Sequence, residues 1–183
     1  TEEIILPTAP SLKLNVGSGQ RRFDTSKGWV NVDCVVREPD QVPDVVCDVG
    51  KEPLPFDNQS AEYVVLHHVL EHFGCGEADG LVHECWRVLR QGGSLLVFVP
   101  NMRALAMQFA TAGFDEFLFM VNTYGAYQGA ETDRHKWGYS PEGLIAYLKG
   151  VTQARVIRRF DFRPIDGADI AQDWWIAGAE VVR

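Results

Sequence analysis

With 183 residues, 46% of them hydrophobic and 23% charged, the chain can bury a sizeable core without disulfides or a metal staple, and its composition is that of an ordinary soluble globular protein. A net charge of −8 argues against broad electrostatic binding to nucleic acid or an anionic membrane; no apolar run is long enough to span a bilayer, and TEEIILPTAP lacks the basic start of a signal peptide. The cysteines, Cys34, Cys47, Cys75 and Cys85, contain no C-x-x-C pair, so neither a zinc knuckle nor a disulfide framework is indicated and a reduced, cytoplasmic protein is expected.

In chain order, LKLNV at 12–16 is a short apolar run ended by Gly17-Ser18-Gly19, which reads as a buried strand entering a glycine turn. WVNVD at 29–33 and VVCDV at 45–49 are two further strands, each with an aspartate near its C-terminal end, and Tyr63–Leu66 is a fourth. The spacing predicts a helix over Glu77–Arg90: Leu81, Cys85, Val88 and Leu89 share one face, acids open it, Arg87 and Arg90 close it, and Gly92-Gly93 stop it. SLLVFVP at 94–100 reads as a strand buried on both faces.

A helix is expected over Arg103–Gly113, followed by a stretch to Tyr139 rich in aromatics and glycine. Ser140-Pro141-Glu142 is a helix start that should run to about Lys149 and end at Gly150. Arg155–Phe162 and Trp174–Val182 are joined too closely for a crossover helix and should form an antiparallel hairpin. Arg155, Arg158 and Arg159 read as a solvated face, and one of Trp174 and Trp175 should face the core. The expected fold is α/β: a Rossmann-like open sheet, mostly parallel, with an antiparallel C-terminal hairpin, forming one domain over 1–183 with 101–139 as an active-site cap.

Glycines at 17 and 19 let the backbone approach a ligand closely, but Arg22 stands where a dinucleotide fingerprint needs its third glycine. Asp33 is placed to accept from both ribose hydroxyls of a nucleoside, and Asp48 to take an amino proton from adenine; each aspartate by itself could simply begin a turn. VLHHVLEHF at 65–73 contains His68-x-x-Glu71-His72, the H-x-x-E-H pattern of one class of zinc peptidases. Such a site needs its histidines one turn apart on a stable helix, whereas this segment follows a strand and is broken by Gly74 and Gly76, so no metal is expected.

LNVGSG, WVNVD, CDVGKEPLPFDNQSAEYVVLHHVLEHF, ECWRVLRQGGSLLVFVPN and DRHKWGYSPEGL together resemble a class I S-adenosylmethionine-dependent methyltransferase of the small, type 11-like kind, over roughly residues 12–150. The resemblance implies S-adenosyl-L-methionine as cofactor and S-adenosyl-L-homocysteine as product. It places the methionine part of the cofactor at Gly17, Ser18 and Gly19, the ribose at Asp33, the adenine at Asp48 and the Val49 backbone, and His67 beside the methionine moiety. The usual strand-1 acid is Asn15 here, which weakens any contact to the cofactor's ammonium. Only nine residues, QRRFDTSKG, separate Gly19 from Trp29, so a turn or single helical turn should replace the customary helix.

His67, His72 and His135 are the candidates for proton removal from an oxygen or nitrogen acceptor, the side-chain type whose ordinary pKa suits that task. A purely structural role for Glu71 or His72 is an equal alternative. His68, Asn101, Arg134 and Trp137 are candidate acceptor contacts, with Tyr124 and Tyr127 behind them, and DRHKWGY at 133–139 is either part of the acceptor pocket or a clasp on the sheet end. The acceptor is expected to be a small molecule, of metabolite or saccharide type, or one recognised partly through another subunit, as a homodimer would allow. Two rival readings are a zinc hydrolase on His68, Glu71 and His72, and a non-catalytic S-adenosylmethionine-binding module.

Overall fold

The computed structural model describes residues 11–36, 42–111, 115–126, 131–171 and 173–183. Strands β1 (Leu12–Val16), β2 (Trp29–Asp33), β3 (Val45–Val46), β4 (Ala61–His67), β5 (Leu89–Pro100), β6 (Val156–Arg159) and β7 (Ile176–Val182) form one sheet in the order β3-β2-β1-β4-β5-β7-β6. The first five run parallel, and β7 is antiparallel to both β5 and β6. The expected mostly parallel sheet with a C-terminal hairpin is therefore what the chain forms. Helices α1 (Glu77–Val88) and α4 (Pro141–Thr152) pack against each other and against the sheet, while α2 (Met102–Phe109) and α3 (Glu116–Tyr124) pair through stacked Phe109 and Phe119. No described helix is long and apolar enough to cross a membrane, and the four cysteines are unbridged.

Alternation along the central strands builds two cores. Leu95, Val97 and Val99 of β5, with Val64 and Leu66 of β4, face Leu81, Val82, Cys85 and Val88 of α1 and Leu144 and Leu148 of α4. Leu96, Phe98 and Val65 point the other way, to Phe23, Trp29, Phe160 and Ile176. Among the described residues this second core draws none from an α-helix; Phe23, Phe160, Phe162, Ile165, Ile170 and Trp175 cover the sheet instead. Phe23 meets Trp29 edge-on at 4.8 Å, and the Trp29 indole N–H donates to the Asp166 carbonyl at 2.9 Å, giving the one polar atom of that ring a partner.

The thin cover traces back to the short link between β1 and β2. Residues 17–28 are about the minimum for a parallel crossover, and they hold only the expected single turn, a 3-10 turn at Thr25–Lys27. A buried amide relay fixes their path. The Asn31 side chain accepts from Asn15 Nδ2 at 2.9 Å and from the Phe23 N–H at 2.8 Å, and donates to Phe23 O and Asp44 Oδ2. Asn15 also donates to Arg21 O at 2.8 Å. Two polar residues inside strands are thus spent on holding a loop where a helix would have held itself.

Several boundaries differ from the sequence expectation. α1 ends at Val88, not Arg90, because Leu89 is already extended and paired with Ala61. Gly92 and Gly93 do not stop the helix; they carry a bulge within β5, where Gly92 is left-handed (φ +74°) and a side chain on Gly93 would meet Glu62 O at 2.8 Å. The Arg183 guanidinium takes up the carbonyls left at that helix end, those of Trp86, Arg87 and Leu89. α2 stops at Phe109 rather than at Gly113. α4 continues past Gly150 to Thr152, since Leu144, Leu148 and Thr152 keep the buried face going, and Gln153 supplies the left-handed cap. The third strand shrinks to Val45–Val46, and the last two to Val156–Arg159 and Ile176–Val182. Arg155, Arg158 and Arg159 are exposed, as a solvated face requires, and Arg158 and Arg159 pair with Glu180 and Glu142.

Candidate functional site

The carboxyl ends of β1, β2, β3 and β4 converge on a cleft of about 720 Å³, within the range of ordinary small-molecule sites. Gly17, Gly19, Asp33, Asp48, Val49, His68 and His72 all line it, with Cys34, Val35 and Lys51 beside them. The chain turns at Gly17 with φ +69°, where a Cβ would lie 2.4 Å from Val69 Cγ2. Both the backbone angle and the space there require glycine. Gly17 and Ser18 donate their N–H groups to Val32 O, which lays the loop across the end of β2.

Asp33 ends β2 nearly buried, accepting from the Gly19 N–H at 2.7 Å and the Val35 N–H at 2.8 Å. Each carboxylate oxygen keeps a second lone pair for a hydroxyl in the cleft. Asp48, past the end of β3, accepts from the Gly50 N–H and from Lys51 Nζ at 2.8 Å, and the Lys51 ammonium holds its carboxyl below the usual range. The Ser18 hydroxyl, which lines not this cleft but the neighbouring one, is buried without a hydrogen-bond partner among the described residues. A glycine cradle and two carboxylates at strand ends suit a nucleoside bearing an amino acid, whose hydroxyl and amino groups would donate to those carboxylates.

A second cleft, about 630 Å³, lies on the other side of the loop, and both clefts share Gly17, Gly19, His68, His72 and Asp133. His67, Asn122, His135, Asp169, Asp173, Arg21 and Trp175 complete it. His67 is the last residue of β4, and burial pushes its pKa down to about 3, with the nearby positive charges of His68 and Arg21 adding to the effect. The fold therefore keeps this imidazole neutral. Between pH 6.5 and about 3 the unfolded chain takes up a proton that the folded site refuses, so the stability involved is complete above pH 6.5 and drains away as the pH falls. Urea unfolding is expected to lose stability across that window in the wild type, by up to about 1.4 kcal/mol per pH unit, and His67→Asn should flatten the slope.

His68 follows in a left-handed conformation (φ 57°) that a non-glycine residue rarely holds, so the surrounding contacts must impose it. Its N–H donates to Phe98 O, and its Nδ1 meets Glu71 Oε1 at 3.0 Å. Glu71 is 1% exposed, and its Oε2 has no hydrogen-bond partner among the described residues. Burial by itself would raise its carboxyl, but the His68 hydrogen bond and the neighbouring imidazoles outweigh that and hold it below the ordinary range. Leu70–His72 is a 3-10 turn, so the two histidines of H-x-x-E-H do not stand one turn apart on a helix.

Segment 131–139 clasps this turn. The Lys136 and Trp137 N–H groups donate to Glu71 O at 2.8 and 3.1 Å, and His72 Nδ1 donates to Arg134 O at 3.1 Å. The clasp turns the His135 ring inward, 4.8 Å from His72, with Nδ1 donating to Asn122 O at 2.9 Å. Burial keeps the His135 pKa below its usual value. Of the DRHKWGY stretch, then, Asp133 and His135 line the second cleft while the backbone of Arg134, Lys136 and Trp137 serves as the clasp.

Asn15, Asn101, Arg134 and Trp137 line neither cleft. Asn15 belongs to the relay under the loop, Asn101 caps α2 through Ala104 N, Arg134 pairs with Glu131, and Trp137 is 48% exposed. Tyr124 is exposed on α3, and Tyr127 lies outside the described residues. Trp175, expected only to pack, lines the second cleft with its ring 5.4 Å from that of His68; Trp174 is exposed. Asn122 was also missed, though one buried amide in the apolar run FLFMVN is a signal that could have found it.

The methyltransferase domain family matches residues 16–97. Among solved structures the chain is similar to a SAM-dependent methyltransferase from Archaeoglobus fulgidus (13% identity, 95% of this chain and 87% of that one, TM-score 0.60). It is also similar to one from Thermotoga maritima (14%, 97% and 84%, TM-score 0.55) and to human N-acetylserotonin methyltransferase in complex with SAM (16%, 94% and 47%, TM-score 0.53). At these identities the likeness establishes the fold. No curated protein shows significant sequence similarity to the chain.

Proposed function

We propose that this chain, which matches the methyltransferase domain family over residues 16–97 and has the fold of the SAM-dependent enzymes, methylates a small polar acceptor held in the second cleft. The observation that carries this reading is the shared wall: Gly17, Gly19, His68 and His72 border both clefts, so a ligand in each would meet there. Gly17, Ser18 and Gly19 cradle the methionine part of the cofactor, Asp33 holds the ribose hydroxyls, and Asp48 with the Val49 backbone faces the adenine. Bound in this way, S-adenosylmethionine supplies an electrophilic methyl carbon.

The protein's own share is alignment, exclusion of water and proton handling. His67, fixed in its neutral form, adds no positive charge beside a sulfonium. His135 and His72 each donate from Nδ1 to a carbonyl, which can only accept, so in the metal-free protein their Nε2 lone pairs are left to take an acceptor proton. Asp169, Asp173, Asn122 and Arg21 offer hydrogen bonds to a hydroxyl-rich ligand, and Trp175 offers a flat apolar face, a combination that suits a saccharide-type acceptor. Within the cap segment, Val121, Asn122, Ala126, Asp133 and His135 border the second cleft.

Incubation with S-adenosylmethionine labelled on the methyl group, against small alcohols, amines, carboxylic acids and saccharides, tests this. Label in a small product, matched by S-adenosylhomocysteine release and reduced in His135→Ala, is expected. Label passing only to protein or nucleic acid would overturn the small-acceptor reading.

A further inference from the structure

We propose that Glu71, His72 and His135 form a binding site for a divalent transition-metal ion of the zinc class, at the wall of the second cleft. Their ligand atoms all lie within 4.8 Å of one another. Metal–ligand bonds of about 2.0–2.1 Å place the donors of a tetrahedral site about 3.3 Å apart, so small side-chain rotations close the set. Three further observations point to an ion.

Glu71 Oε2 is buried with no hydrogen-bond partner among the described residues, in a residue that is 1% exposed, a costly arrangement unless something fills it. Both imidazoles are oriented as metal ligands are, with Nδ1 donating to a backbone carbonyl, Arg134 O for His72 and Asn122 O for His135, and Nε2 left with its lone pair. The other Glu71 oxygen is steadied by His68 Nδ1 at 3.0 Å, and two backbone N–H groups hold the Glu71 carbonyl. Each ligand thus has its own support, which is more than a chance meeting of polar side chains supplies.

The chemistry of the set selects the ion. Two imidazoles and one carboxylate suit zinc, iron(II), cobalt(II) or nickel(II), whereas magnesium and calcium prefer all-oxygen shells. Three protein ligands leave a coordination position open, and His72 and His135 place it toward the second cleft. That the open position receives an acceptor oxygen rests on the methyltransferase reading above; the existence of the site does not.

The test uses the full, tag-free chain after chelator treatment. Calorimetric titration with zinc chloride is expected to show one bound equivalent at micromolar concentration or tighter, and cobalt(II) should give visible absorption bands of a low-coordinate site. His135→Ala should weaken zinc binding at least about 100-fold and abolish the cobalt bands. Glu71→Gln should do the same, with circular dichroism checking its fold. His83→Ala removes the only other histidine outside the cluster around the clefts and should change neither, and excess magnesium should not compete. Absence of saturable zinc binding by the folded protein, or binding unchanged in His135→Ala, overturns the proposal. S-adenosylhomocysteine binding in the same stripped samples rests on the first cleft, which neither Glu71 nor His135 lines, so failure of the metal site and failure of the cofactor reading give different results.

Discussion

Asp33→Ala is expected to weaken binding of S-adenosylmethionine and S-adenosylhomocysteine by at least about 100-fold, with no detectable turnover remaining. The carboxylate is nearly buried at the end of β2, and the fold already fixes it through the Gly19 and Val35 N–H groups. A ligand therefore meets a preorganised acceptor and spends no free energy ordering it. A hydrogen bond to a charged group contributes about 1.5–3 kcal/mol, so losing two ribose contacts costs about 3–6 kcal/mol. Alanine also leaves two backbone donors without their acceptor, which disturbs the loop itself. Asp33→Asn separates these effects, because its side-chain oxygen still serves one donor while the charge is gone. Both variants should stay folded by thermal denaturation. Binding to Asp33→Ala within a few-fold of wild type would mean that the ribose lies elsewhere.

Gly17→Ala should damage both the fold and the cofactor loop. A non-glycine residue in the left-handed region costs about 1–2 kcal/mol, and forcing a methyl into filled space adds about 1–3 kcal/mol more. Here the methyl would sit 2.4 Å from Val69 Cγ2. Val69 also leads directly into the Leu70–His72 turn, so any shift that relieves the clash moves Glu71 and His72. Urea denaturation should show a loss of about 2–5 kcal/mol, together with loss of cofactor binding. Val69→Ala in the same chain should recover the packing part and leave the backbone part, so the two substitutions are expected to be non-additive. An unchanged midpoint in Gly17→Ala would show that the loop is freer than its hydrogen bonds to Val32 O indicate.

What was legible in the sequence was whatever a short stretch decides by itself. LKLNV, WVNVD and SLLVFVP are apolar runs bounded by turn residues, and Ser140-Pro141 caps its helix through its own side chain, accepting from Gly143 N. Gly17, Asp33 and Asp48 follow strand ends, and position after a strand is the main signal for a ligand in this class of sheet. The misread boundaries were those that distant residues settle. Leu89 leaves the helix because Ala61 pairs with it, and α4 passes Gly150 because its buried face has not ended.

The acceptor side was less legible for the same reason. His135 meets His72 only because the 131–139 segment folds back, with two of its N–H groups on the Glu71 carbonyl. The H-x-x-E-H pattern drew attention to His68, yet His68 steadies Glu71 rather than joining the Glu71, His72 and His135 set. Arg134 and Trp137 carry the right chemistry for an acceptor pocket, but the clasp needs their backbone and leaves their side chains outside both clefts. Asn15 stands where an acid is customary, and its partnership with Asn31 replaces a missing helix. A single sequence shows the polar residue there but not the loop it holds.

The central claim, that the first cleft holds the cofactor, is tested most directly by amide hydrogen exchange of the metal-stripped protein with and without S-adenosylhomocysteine. The account predicts new protection at residues 17–19, 33–35 and 48–51, with β6 and β7 unchanged. No binding by a folded protein, or protection that leaves the glycine loop and the end of β2 untouched, would contradict it.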